Sequence, residues 1–223
     1  MQSRLFTRKQ CWVPTAGGWI VLVLLTLGAV GLGAGSIPGF LCVNHRVAAE
    51  VLVVECWLPD YAMQGAIQEF KRGGYKYVVT SSGAIGAPWL QSRFKTGGEF
   101  AAANLAALGL DPKAIIATAA PQQSRDRTYA SALPIKEWLR GADTTVKAVN
   151  VYSLSAHARR SRLLFQKALG DKVKVGVISH PDGQVDLESW WPSMDGFTEV
   201  VSEGLAYLYA RFLFHEPKGQ DAG

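Results

Sequence analysis

From residue 51 to residue 214 the chain alternates short β-branched runs with stretches whose apolar residues recur at helical spacing, and that alternation leaves few folds open. Residues 51–55, 76–81, 114–119, 146–152 and 173–178 read as five strands. Between them, 59–73 carries Ala62, Ala66, Ile67 and Phe70 on one helical stripe, and 98–108, 126–139 and 156–169 read as further helices, with 197–214 closing the series. Gly73-Gly74 and Gly141 stop two of these helices, while Pro134 removes a backbone donor inside a third and predicts a bend or a late start there. The pattern predicts an α/β fold: a Rossmann-like, doubly wound parallel sheet of about five strands with right-handed crossovers, preceded by one transmembrane helix.

The helix that precedes this series follows from charge. No residue between Lys9 and Arg46 is charged, and 19–37 is a run of nineteen apolar, Gly, Ser and Thr residues. As a helix it spans roughly 28 Å, close to the hydrocarbon thickness of a bilayer. Arg4, Arg8 and Lys9 lie before it and no acidic residue precedes Glu50, which keeps that end in the cytoplasm. The expected organisation is a basic cytoplasmic segment at 1–18, a transmembrane helix or signal anchor at 19–43, and an extracytoplasmic Rossmann-like domain at 44–223. That describes a single-pass protein of a bacterial inner membrane with a periplasmic C-terminal domain. A cleaved signal peptide is the alternative, because Gly33-Ala34-Gly35-Ser36 offers a small-residue processing site. The apolar run is nevertheless longer than the ~7–15 residues of a signal-peptide core.

Composition narrows the partners. Of 23 basic residues, the three before the apolar run leave 20 against 18 acidic ones, a balance that predicts no nucleic-acid partner. Cys11, Cys42 and Cys56 are too few and scattered for a disulfide framework, although a Cys42–Cys56 bridge stays open in an oxidising compartment. No cysteine–histidine cluster has zinc spacing, so no metal site is expected, and nothing in the residues names a cofactor.

In doubly wound sheets ligands sit beyond the carboxyl ends of the strands, where the strand order reverses. The first strand delivers Glu55, Cys56 and Trp57 there, the second Ser81, Ser82 and Gly83, and the fourth Ser153, Ser155, His157, Arg159 and Arg160. These tips converge if the first strand lies between the second and fourth. The loop after the third strand adds Ser124, Arg125, Asp126, Arg127 and Thr128. A helix start with an imidazole and two guanidiniums is suited to an anion, since unpaired N–H groups and the macrodipole add to the side-chain charge. The expected roles are His157 as acid–base group, kept neutral by the helix start, with Glu55 or Glu99 as the orienting carboxylate. Arg159 or Arg160 would clamp the anion, and Ser81, Ser82, Gly83, Arg125, Arg127, Thr128 and Ser155 would line it. Each has an ordinary alternative: Arg125 and Arg127 pairing with Asp126, Thr128 as a helix cap, Glu55 as a buried partner of Arg159 or Arg160. Trp190 and Trp191 suit ligand stacking, a membrane surface or plain packing. Gly-x-Ser-x-Gly, Walker-A and Gly-x-Gly-x-x-Gly patterns are all missing.

Taken together, VLVVECWLPDYAM, SRDRTYASA, VYSLSAHARRSRLLFQKAL and the ending after the Trp pair resemble the bacterial ElyC/SanA/YdcF family of envelope proteins, in its subgroup with one N-terminal membrane helix. The resemblance spans about residues 49–214. It implies a Rossmann-like domain at the inner membrane and a part in envelope or peptidoglycan-precursor metabolism. Glu99, Thr128, His157 and Arg160 match the family's polar signature. The chain departs from it with Glu55-Cys56-Trp57 in place of a Gly-rich first loop and Thr128-Tyr129-Ala130 in place of Thr-Glu-Asn. Some relatives are linked to undecaprenyl carrier lipid, and another looks like a binder of S-adenosylmethionine, so the partners implied are the inner membrane and a phosphorylated carrier lipid or other anionic small molecule. The resulting expectation is a membrane-anchored factor that recognises an anionic, phosphorylated envelope metabolite. Its alternatives are a non-catalytic regulatory module and an S-adenosylmethionine or nucleotide-type binder.

Overall fold

A computed structural model describes residues 12–83, 85, 91–119, 125–141 and 146–217. It divides into two units, one up to Ile37 and one from Pro38 onward. The first is most of helix α1 (Ala16–Leu41), which is long and apolar enough to cross a membrane. Leu22, Val23, Leu24, Leu25 and Leu27 are exposed around the helix, as a lipid-facing surface requires. Its hydroxyls bond to the helix's own carbonyls, Thr26 to Leu22 at 2.8 Å and Ser36 to Gly33 at 2.8 Å, so neither hydroxyl needs water.

From Pro38 onward the expected alternation is realised. In chain order come β1 (Val51–Val54), α2 (Asp60–Gly73), β2 (Tyr77–Thr80), α3 (Gly97–Ala107), β3 (Ile115–Ala117), α4 (Arg127–Gly141), β4 (Ala148–Leu154), α5 (Ala158–Leu169), β5 (Lys174–His180) and α6 (Met194–Leu208). Among the described residues, the strands form one all-parallel sheet of five in the order β3-β2-β1-β4-β5. The first strand thus lies between the second and fourth, and the order reverses at the β1/β4 seam. Val51 aligns with Tyr77 on one side and Val149 on the other.

Both faces of the sheet are covered, because strand residues alternate between them. Val51, Val53, Val149 and Val151 point to the side packed by Ala132 and Ile135 of α4 and Phe165 and Ala168 of α5. Leu52, Val54 and Val78 point to the other, against Ala62, Met63 and Ala66 of α2 and Ala101 and Leu105 of α3. Pro134 neither ends nor delays α4; the fully buried Ala132 and Ile135 beside it hold the helix to the sheet, which outweighs one lost backbone bond. The closing helix starts before residue 197, because Ser193 caps it by accepting from the Gly196 N–H at 3.0 Å, and it ends in a π-type turn over Tyr209–Leu213. Cys42 and Cys56 are both free thiols, so the bridge left open by their spacing is not made.

Candidate functional site

A cavity of about 720 Å³ opens at the β1/β4 seam, where the sheet order reverses. Its floor is Glu55, Cys56 and Trp57 from the end of β1 and Ser81, Ser82 and Gly83 from the end of β2. Asp126, Arg127 and Thr128 at the start of α4, His157 and Arg160 after β4, and Glu199 and Glu203 of α6 form the walls. Two turns at this end hold non-glycine residues in the left-handed region, Asp126 at φ 48° and Ser155 at φ 49°, a conformation kept only where surrounding contacts enforce it.

The chemistry centres on His157, which sits on a 3-10 turn (Ser155–His157) leading into α5. Its Nδ1 is 3.0 Å from Glu203 Oε1, and its Nε2 faces Glu55 Oε1 at 3.6 Å, an ion-pair distance too long for a hydrogen bond. Arg160 grips the same Glu203 with both arms, Nε to Oε2 at 2.8 Å and Nη2 to Oε1 at 2.9 Å, and gives Nη1 to Thr128 Oγ1 at 3.2 Å. Arg160 Nη2 also lies 2.8 Å from His157 Nδ1, since both nitrogens converge on one carboxylate oxygen. The Trp57 ring meets the imidazole edge-on, with centroids 4.8 Å apart.

This environment overturns the expected neutral imidazole. Burial pushes the His157 pKa down, but Glu55 and Glu203 on its two sides outweigh burial and raise it to about 9. Burial likewise pushes Glu203 up, and the Arg160 and His157 hydrogen bonds overcome it, holding Glu203 at about 2. Glu55, 1% exposed, is also pushed up by burial and held below the usual carboxylate range by the His157 charge, with Ser161 Oγ donating to Oε1 at 2.9 Å. The two carboxylates therefore favour the imidazolium form of His157 at neutral pH, against its burial and the neighbouring Arg160 guanidinium. The helix-start dipole is outweighed because two full charges lie within 4 Å.

The positive helix start read from the sequence is filled by the chain itself. Glu203 takes Arg160 and His157, and Glu199 Oε1 accepts from the Ala156 N–H at 3.3 Å. Glu199 and Glu203, four residues apart on one face of α6, were legible in the sequence only as the polar side of an amphipathic helix. Arg159 leaves the site altogether: its guanidinium lies 3.8 Å over the Phe40 ring, and Nε donates to the Phe40 carbonyl. Glu99 is a helix-capping residue, with Oε2 accepting from the Lys95 N–H at 2.7 Å while Thr96 Oγ1 receives its own N–H, and it does not line the cavity. Glu55 meets Ser161 and His157 rather than Arg159 or Arg160.

Ser155 faces a second cavity, of about 580 Å³, with Cys42, Asn44 and Ser179. Arg125 lies outside the linings of both cavities, and Ser124 lies outside the described residues. Arg127 lines the first cavity, is exposed, and makes no ion pair or hydrogen bond among the described residues. Ser81 Oγ accepts from the Cys56 N–H at 3.2 Å, which ties the β1 and β2 tips together.

Two buried atoms of cavity-lining residues lack a hydrogen-bond partner among the described residues: Glu55 Oε2, and His157 Nε2, which has only its 3.6 Å ion-pair contact with Glu55 Oε1. Counting His157 as charged, the lining carries three cations, Arg127, His157 and Arg160, against five carboxylates, Asp126, Glu55, Asp182, Glu199 and Glu203. The Cys56 thiol is pushed up by burial to about 11, so it is not a thiolate at neutral pH. No family model, curated protein or solved structure matches the chain.

Proposed function

We propose that the domain from Pro38 onward is a recognition module, held to the membrane by α1, for an anionic, phosphorylated and hydroxyl-bearing envelope metabolite. The observation that supports it is that two residues lining the cavity at the sheet's reversal each keep a buried side-chain atom without a hydrogen-bond partner among the described residues, Glu55 Oε2 and His157 Nε2. A buried acceptor and a buried donor together suit a hydroxyl, which accepts from the imidazolium and donates to the carboxylate. Arg127 and the backbone N–H groups at the start of α4 would receive the phosphate, because the other helix start is already occupied by Glu199 and Glu203. The envelope setting rests on the family resemblance, and the periplasmic orientation on the basic segment before α1.

Binding is favoured over covalent turnover because neither the Cys56 thiol nor His157 is in the form that a thiolate nucleophile or a general base requires. The thiol is protonated and the imidazole is charged, so it is an acid rather than a base. A step at a phosphate ester would draw its leaving-group proton from His157, and His157→Ala would abolish it.

The excess of carboxylates favours a second ligand class, one with a cationic centre such as S-adenosylmethionine. Thermal unfolding of the full chain in detergent, with a short polyprenyl phosphate, inorganic phosphate or S-adenosylmethionine added, separates them. A ligand at 100 times its Kd adds about 2.7 kcal/mol to apparent stability. The polyprenyl phosphate is expected to raise the transition in the parent chain, and Arg127→Ala and Glu55→Gln each to remove most of that rise. A response to S-adenosylmethionine alone selects the second class, and a flat response to every probe overturns both.

A further inference from the structure

Helix α6 and the turn after it leave one long apolar face uncovered. Met194, Phe197, Val201, Leu205, Leu208 and Phe212 follow one another at steps of three or four residues, the spacing of a single helix face. All but the half-buried Val201 are exposed. Asp195 and Arg211 flank this stripe, while Glu199 and Glu203 occupy the other side, on the cavity. An exposed apolar stripe of this extent calls for a covering partner.

Contacts at the start of the same unit identify that partner. Phe40, in the last turn of α1, packs edge-on against Tyr207 of α6 with centroids 5.4 Å apart. Arg159 lies over the other part of this corner, its guanidinium 3.8 Å from the Phe40 ring centroid. The first residues of the unit that begins at Pro38 are therefore packed on α6.

We propose that α6 is an interfacial membrane-docking helix, with its apolar stripe among the upper acyl chains and Arg159 and Arg211 at the level of the lipid phosphates. The inference rests on reading α1 as a retained anchor. Phe40, which packs on Tyr207 of α6, follows the anchoring unit by only three residues, so chain connectivity keeps a bilayer at high effective concentration near α6. A second copy of the chain would have to displace it. Since Glu199 and Glu203 point from the opposite side of α6 into the cavity, docking sets the cavity about one helix diameter, roughly 10 Å, from the headgroups.

The test uses the full chain in phosphatidylethanolamine–phosphatidylglycerol vesicles carrying a photoactivated carbene on the lipid acyl chain, followed by peptide mapping. Label is expected in both α1 and the segment 194–213. The double substitution Leu205→Glu and Leu208→Glu is expected to lower the label in 194–213 several-fold and leave that in α1 unchanged. Label in α1 with none in 194–213 overturns the docking and leaves the anchor standing. Absence of label from both overturns the anchor reading and the docking with it. Label in 194–213 that survives the double substitution overturns the role of the stripe, and cross-linking between α6 helices of two chains without lipid label assigns the face to a second copy instead.

Discussion

At the scale of single residues, the cavity is governed by one imidazole between two carboxylates. A histidine whose folded pKa is raised from 6.5 to about 9 contributes stability that is complete below pH 6.5 and is lost as the pH rises through about 9. Glu203 has the opposite sign: lowered from 4.5 to about 2, it contributes stability above pH 4.5 and loses it as the pH falls through about 2. Glu203→Gln removes one of the two charges holding the imidazolium. The His157 ring protons, followed by NMR, are expected to titrate nearer the ordinary histidine range in that variant, and the alkaline loss of stability to move to lower pH with them. A titration unchanged by the substitution would show that Glu203 does not hold the proton. His157, Glu55, Arg160 and Thr128 could be picked out of the sequence because they stand at strand ends and helix starts. Glu203 could not, since its partners lie 43 and 46 positions away along the chain and nothing in the sequence brings α6 over the β4 tip.

At the scale of elements, strands and helices were legible because their apolar periods of two and of three to four are local properties. What local pattern leaves out is the bonding that joins elements. Asn150, inside the buried β4, is the clearest case: its side chain accepts from the Val47 N–H at 3.0 Å, donates to the Val47 carbonyl at 2.8 Å and donates to Tyr75 Oη at 3.0 Å. It thus acts as a strand amide for the segment leading from α1, which itself pairs with β5 through His45 and Val177. Asn150→Val keeps the β propensity and strands those backbone groups, so we expect a loss of roughly 1–3 kcal/mol for each buried group left unpaired. Urea unfolding of the full chain in detergent measures it, and an unchanged midpoint would show that water replaces the amide. Arg159 makes the complementary point. Beside Arg160 in the sequence, it points elsewhere because adjacent helix positions lie about 100° apart, and Phe40 meets it there.

For the whole molecule, the question is which side of a membrane the cavity faces. Three positive charges before α1 and none of either sign until Arg46 predict that the C-terminal unit lies outside the cytoplasm. An alkaline phosphatase reporter, active only outside the cytoplasm, is expected to be active when fused after Gly223 of the full chain in a bacterial host; an inactive fusion with an active cytoplasmic reporter at the same place would reverse the orientation.

The amino-acid sequence alone determined the α/β class, the alternation of strands and helices among the described residues, the membrane-length apolar helix and the strand tips that line the cavity, because periodicity, charge gaps and turn residues act over a few neighbouring positions. Only the tertiary structure decided that Glu199 and Glu203 fill the positive helix start, that two carboxylates favour the charged form of His157, that Arg159 stacks on Phe40, and that Glu55 Oε2 and His157 Nε2 are buried without a hydrogen-bond partner among the described residues. The reason is electrostatic: a group's charge and partners depend on what folding places within a few ångströms of it, and at the β1/β4 seam those neighbours come from distant parts of the chain.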